Sequence, residues 1–210
     1  MLTVRKVKTQ ILVKGKILFG FPTQLKYILA PLLLFAIVFL LELLKPASMS
    51  LLGFYPEKIA AGELWRIVTG QVLHTNFNHV LLNVAGLLLV WALHGEYYRA
   101  KHYALIVTLS LVLVGIPLAV LYDTTHYAGL SGIIHTLIVY GALIDIHKKV
   151  TTGWLILIGV FVKVGYENIF GASSDTAALI AANVAVEAHL IGAVAGLIIG
   201  IGYWFINKRA

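Results

Sequence analysis

Six long runs of apolar residues, broken by short polar stretches, dominate the hydropathy pattern of the chain. They are Leu25–Leu44, Asn78–Leu93, His102–Tyr122, Gly129–Ile146, Gly153–Phe170 and Ala177–Ile206. A helix crossing a bilayer needs about 20 predominantly apolar residues, and each run approaches that length. The pattern predicts an all-α polytopic membrane protein, a bundle of six transmembrane helices. Residues 1–26 form a basic N-terminal segment, and residues 27–207 a single six-helix membrane domain. The first run has a basic lead like that of a signal peptide. Lys45 and Pro46 follow it directly and no small-x-small cleavage site lies near Ala47, so it is read as a retained span. No repeat or low-complexity tract divides the chain.

Composition sharpens this picture. Of 210 residues, 60% are hydrophobic and 12% charged, with mean hydropathy +0.92. A soluble domain has about 45–50% apolar residues and cannot hide this much apolar surface. Disorder is excluded for the same reason. With no cysteine there is no disulfide, thiol nucleophile or zinc–cysteine cluster. The net charge of +7 does not predict nucleic-acid binding, because the cations sort by loop. Arg5, Lys6, Lys8, Lys14, Lys16 and Lys26 fill an N-terminal stretch with no acidic residue. Arg99, Lys101, Lys148, Lys149, Lys208 and Arg209 fall in alternate connections and the tail. These twelve face one side; Lys45, Lys58 and Arg66 face the other. The positive-inside rule then places both termini in the cytoplasm, beside anionic lipid, and requires an even number of spans. The 46–77 connection, on the opposite side, is long and semi-apolar and is expected to pack into the interface.

Polar side chains inside spans are costly and therefore informative. His79 and Asn83 are four apart on one face of the second span. Ser131 lies in Gly129-Leu130-Ser131-Gly132 in the fourth, with His135 one turn on. His189 lies in the sixth. All three spans run inward from the non-cytoplasmic side, so His79, Asn83, Ser131 and His189 are expected at a similar depth below the outer surface. Gly192, Gly196 and Gly200 recur every fourth residue, a small-residue ridge suited to close packing on another helix.

Acyl transfer suits these groups. A serine hydroxyl becomes nucleophilic when a neutral imidazole takes its proton, and the imidazolium can then protonate a leaving amine. Ser131 and His189 supply the pair. His79, Asn83 and the Ser131 N–H could converge on the oxyanion. Asp145 is about 21 Å along the helix from Ser131. Asp123 and Asp175 lie in loops, and Glu187 points away from His189. Lys163 and Glu167, four apart in the fifth span, read as a mutually neutralising pair. A Ser–His dyad is the resulting reading, with no metal and no cofactor.

Taken in order, Trp65-Arg66, His74, His79, Asn83, Gly129-Leu130-Ser131-Gly132 and Ala188-His189 with Gly192 and Gly196 resemble the rhomboid intramembrane serine proteases. The resemblance implies Ser131 as nucleophile, His189 as base, and His79 and Asn83 at the oxyanion. It implies Trp65 and Arg66 in a structured first loop, and His74 as a hydrogen-bonding residue within it. The implied partners are the transmembrane segments of substrate proteins, entering sideways from lipid and cut near the outer face of a bacterial inner membrane. Many bacterial rhomboids carry a tyrosine where His135 stands. Gly129 to His135 (Gly-Leu-Ser-Gly-Ile-Ile-His) resembles the rhombosortase subgroup, which processes C-terminal Gly-Gly sorting tails. Three rival readings remain: a non-catalytic rhomboid-like binder of transmembrane helices; a haem or quinone protein using His79, His94, His135 or His189; and a proton-coupled transporter using Lys163, Glu167 and Glu187.

Overall fold

The computed structural model describes residues 21–122 and 126–207. Arg5, Lys6, Lys8, Lys14, Lys16, Asp123, Lys208 and Arg209 lie outside them. The described residues form an all-α membrane bundle with no strand among them. Helix α1 (Leu25–Leu43) is followed by three short helices, α2 (Ala47–Leu52), α3 (Pro56–Ala60) and α4 (Arg66–Thr69), and a 3-10 turn over Gly70–Val72. The long helices α5 (Phe77–His94), α6 (Ala100–Leu121), α7 (Ser131–His147) and α8 (Thr152–Phe170) come next. Short α9 (Ser174–Ile180) and long α10 (Val186–Asn207) complete the order. Among the described residues, five helices are long and apolar enough to cross a membrane; α7, at 17 residues, is a shorter apolar helix.

Helix α7 is the axis of the bundle, with α5, α6, α8 and α10 packed around it. Ile133, Leu137 and Val139 on α7 are wholly buried. By contrast, Leu155, Ile158, Val162 and Ile169 on α8 lie exposed, as does much of α1. An exterior of this kind suits hydrocarbon, and the chain is an integral multi-pass membrane protein.

The glycine ridge of α10 seats on α7. A Cβ on Gly192 would overlap the Gly132 carbonyl, one on Gly196 would come within 2.7 Å of the Thr136 carbonyl, and one on Gly200 would overlap Leu143. The missing side chains let the backbones touch, and Thr136 Oγ1 donates across the crossing to the Gly192 carbonyl at 2.9 Å. Gly192→Ala is expected to destabilise the fold by about 1–3 kcal/mol, the usual range for overpacking. Gly202→Ala, which meets nothing within 4 Å, should leave thermal unfolding in detergent unchanged or slightly improved.

Most boundaries shift by one or two residues from the hydropathy reading, and two of the shifts have a visible backbone cause. The sixth span begins at Val186, not Ala177, because Ala181 takes a left-handed conformation (φ 52°) and ends α9. The fourth begins at Ser131, not Gly129, because Gly129 has φ 124° and turns the chain before the helix starts.

The 46–77 connection is structured. Arg66, 3% exposed, donates to the Gly53 and Ser50 carbonyls at 2.9 and 3.0 Å and to Glu63 at 2.6 Å. It thereby ties α4 to the end of α2. Trp65 is half exposed, its indole 3.3 Å from the Leu51 carbonyl. Wholly buried Phe54 packs edge-on against Tyr127, joining this connection to the turn before α7.

Candidate active site

Helix starts bring the polar residues together. Ser131 is the first residue of α7, where backbone N–H groups have no intrahelical acceptor. His79 and Asn83 occupy the first two turns of α5, which Asn76 caps by accepting the His79 N–H at 2.9 Å. His189 is in the first turn of α10. All four line one cavity of about 250 Å³, together with His135 and Lys163. Thr176, Ile180 and residues 182–185, in α9 and the segment after it, also line it.

The turn into α7 is fixed from two sides. Gly129 adopts a backbone that L side chains avoid, and a Cβ there would come within 2.7 Å of His79 Nε2. The Tyr127 hydroxyl donates to the Gly129 carbonyl at 2.9 Å and faces the Ser131 side chain and the Gly132 backbone. Burial pushes the Tyr127 phenol up to about 12, so it stays protonated and able to donate.

Hydrogen-bond partners settle two tautomers. Thr75 Oγ1 donates its single proton to the Ile180 carbonyl at 2.6 Å, so at 3.1 Å it can only accept from His79 Nδ1. Neutral His79 therefore carries its proton on Nδ1 and presents a bare Nε2 toward Gly129. His135 Nδ1 lies 2.7 Å from the Ser131 carbonyl, which only accepts; its proton is on Nδ1, and Nε2 takes a hydrogen bond from Lys163 Nζ at 3.0 Å. Asn83 donates one amide hydrogen to the His79 carbonyl at 3.1 Å, leaving a second for the cavity.

His189 is the most crowded of the group. Its Nδ1 is 2.8 Å from Glu167 Oε2 and 3.2 Å from Lys163 Nζ, and its ring stacks on His135 with centroids 4.4 Å apart. Lys163 and Glu167 do pair, at 2.8 Å, but the same carboxylate oxygen also reaches His189. The sequence contained a signal for this contact. Glu167 is three residues from the C-terminal end of α8, the end that packs beside His189, and its i,i+4 pairing with Lys163 concealed the third partner.

The remaining residues fall around this centre. Gly132, Gly192 and Gly196 form the α7–α10 contact behind it. His74 packs edge-on against His79 at 5.0 Å, and neither of its ring nitrogens has a hydrogen-bond partner, unlike the role the resemblance implied. Burial, with His79 and Lys45 adding to it, holds His74 down at about 3, so it stays neutral. Asp145 binds His94 and Tyr97 at the other end of the bundle, at 3.2 and 2.6 Å.

A family model described as Rhomboid domain matches residues 61–205, more than half of the chain. The match runs from the connection holding Trp65 and Arg66 to the last turn of α10. The chain has no match among curated proteins.

Proposed function

The chain belongs to the rhomboid family, whose members are generally intramembrane serine proteases, and from that premise we propose that it is a serine endopeptidase acting within the membrane. Ser131 is the nucleophile and His189 the general base. The observation that carries this reading is the meeting of Ser131, His189, Asn83 and His79 in one cavity at the starts of three helices.

The reaction is acyl transfer in two stages. As Ser131 Oγ attacks the scissile carbonyl carbon, the O–H bond breaks and the proton passes to His189 Nε2. The carbonyl oxygen becomes an oxyanion, received by the free Asn83 amide hydrogen and the Ser131 N–H. The tetrahedral carbon then expels the amine, which takes the proton from His189. Water, deprotonated by the same imidazole, attacks the acyl carbon, and the bond to Ser131 Oγ breaks as that oxygen takes the proton back from His189. His79 lies beside the oxyanion position, and its bare Nε2 becomes a donor only on protonation or exchange of tautomer.

The substrate is a transmembrane segment of another protein, reached sideways from lipid and cut near the outer face. Helical carbonyls are hydrogen-bonded and shielded, so the cut segment must first leave its helix. The likeness of Gly129–His135 to rhombosortases supports a C-terminal tail with Gly-Gly at its membrane boundary. Each glycine lowers the cost of unwinding by about 1 kcal/mol relative to alanine. Both termini lie in the cytoplasm of a bacterial inner membrane, as supported by the division of loop cations.

The test is cleavage of a tail-anchored reporter in proteoliposomes. A Gly-Gly tail is expected to be cut at least about tenfold faster than a Leu-Leu version, since two glycines together ease unwinding by more than the 1.4 kcal/mol of one decade. Equal cleavage of both would remove the Gly-Gly preference and leave the protease. Cleavage of neither, by folded protein, would contradict the proteolytic reading.

A further inference from the structure

A general base must offer a lone pair to the hydroxyl it deprotonates. Neutral imidazole carries one proton, so His189 can accept at Nε2 only when that proton sits on Nδ1. Two groups of opposite demand meet at Nδ1. Glu167 Oε2, at 2.8 Å, only accepts when ionised and selects the proton-bearing Nδ1. Lys163 Nζ, at 3.2 Å, only donates and selects the reverse tautomer, in which Nε2 is blocked. A lysine alone at this position would disable the base.

The geometry points to Glu167 as a positioning residue that fixes His189 in its basic tautomer against the opposing demand of Lys163, an ammonium that His135 and Glu167 also engage. This inference rests on the proposed roles of Ser131 and His189. His135 shares the Lys163 ammonium through its own tautomer. Its Nδ1 proton is committed to the Ser131 carbonyl at 2.7 Å, so its Nε2 lone pair takes Lys163 at 3.0 Å, closer than Lys163 lies to His189. Lys163 also binds the Glu167 oxygen at 2.8 Å, a counter-charge for that carboxylate among apolar helices. The His135 ring, stacked on His189 at 19° between planes, restricts rotation of the His189 ring.

The arrangement also serves the charged stage of the reaction. When His189 takes the Ser131 proton it becomes a cation beside the Lys163 ammonium. Glu167 then accepts a charge-assisted hydrogen bond from Nδ1–H and offsets that repulsion without itself taking the proton. A lysine and glutamate paired only with each other would need no carboxylate oxygen on the imidazole. Here one oxygen, Oε2, holds both Lys163 and His189.

The test measures kcat and KM for a transmembrane reporter in proteoliposomes, with wild type, Ser131→Ala, Glu167→Gln, Glu167→Asp and the double variant Lys163→Met/Glu167→Gln. Glu167→Gln is expected to lower kcat by about 10²–10⁴-fold, the scale of a wrongly held tautomer. KM should change by less than about threefold, since the residue does not bind substrate. Glu167→Asp should recover part of the loss, and the double variant should remain as slow as Glu167→Gln. A double variant restored to wild-type rate would show a merely structural ion pair and overturn the inference. So would a Glu167→Gln kcat within about threefold of wild type. Nitrogen-15 histidine spectra of the unsubstituted protein, with His189 assigned by its loss in His189→Asn, give a reading that needs no folded Glu167 variant. The His189 proton is expected on Nδ1; a proton on Nε2 would overturn the inference. If Ser131→Ala still cleaves, the nucleophile reading fails and takes this inference with it. If Ser131→Ala is dead and Glu167→Gln is normal, the inference alone fails.

Discussion

Ser131→Ala and His189→Ala are each expected to abolish cleavage, with losses of about 10⁴–10⁶-fold, while the protein still accumulates folded in the membrane. Both side chains face the cavity, and neither carries the packing of the bundle, which rests on Ile133, Leu137 and Val139 and on the α10 glycines. Nucleophile and base act as a unit, so the double variant should be no slower than either single one. Strict additivity of the two losses would mean that they do not share a step. His135 is a further imidazole close to Ser131, on the same helix face. Both of its nitrogens are engaged, one by the Ser131 carbonyl and one by Lys163, so it has no free lone pair for the Ser131 hydroxyl. An active His189→Ala with a dead His135→Ala would nevertheless move the base to His135. Measured rates for the three variants and the double decide between these outcomes.

The second large effect is expected at Asn83. Removing one oxyanion donor costs about 10²–10³ in turnover, roughly 3–4 kcal/mol of transition-state stabilisation. Asn83 is 5% exposed and holds one amide hydrogen on the His79 carbonyl, so its second is held ready at the cavity. Asn83→Ala should therefore turn over slowly yet still react with a fluorophosphonate, because deprotonation of Ser131 does not pass through it. His79→Ala should cost less, since the Thr75–Ile180 hydrogen bond leaves neutral His79 without a proton on Nε2. A folded Asn83→Ala protein that neither cleaves nor labels would place Asn83 in activation of the nucleophile instead.

Much of this was legible in the chain itself, and the parts that were not have physical reasons. The all-α membrane fold follows from six apolar runs, because a bilayer permits few other solutions. The shared level of His79, Asn83, Ser131 and His189 in the bundle could be read because each sits near the start of an even-numbered apolar run. The break between α9 and α10 could not. Residues 177–185 are mostly alanine and other apolar types, and the left-handed turn at Ala181 falls at a residue that signals no turn. The contact of Glu167 with His189 was hidden for a different reason. Helical spacing reports neighbours on one helix, and Lys163 satisfied that rule, whereas His189 arrives from α10. Likewise the His79 tautomer depends on the Ile180 carbonyl, 105 residues away from Thr75. Such long-range hydrogen bonds leave no periodic trace. Their donors can be named from sequence, but their acceptors cannot.

The most direct measurement is labelling of the protein in native-like bilayers with a fluorophosphonate, followed by mapping of the modified peptide. One adduct is expected, on Ser131, and it should disappear in Ser131→Ala and fall to background in His189→Ala. An adduct that persists in Ser131→Ala, or no adduct at all on folded protein, would contradict a serine protease built on Ser131 and His189.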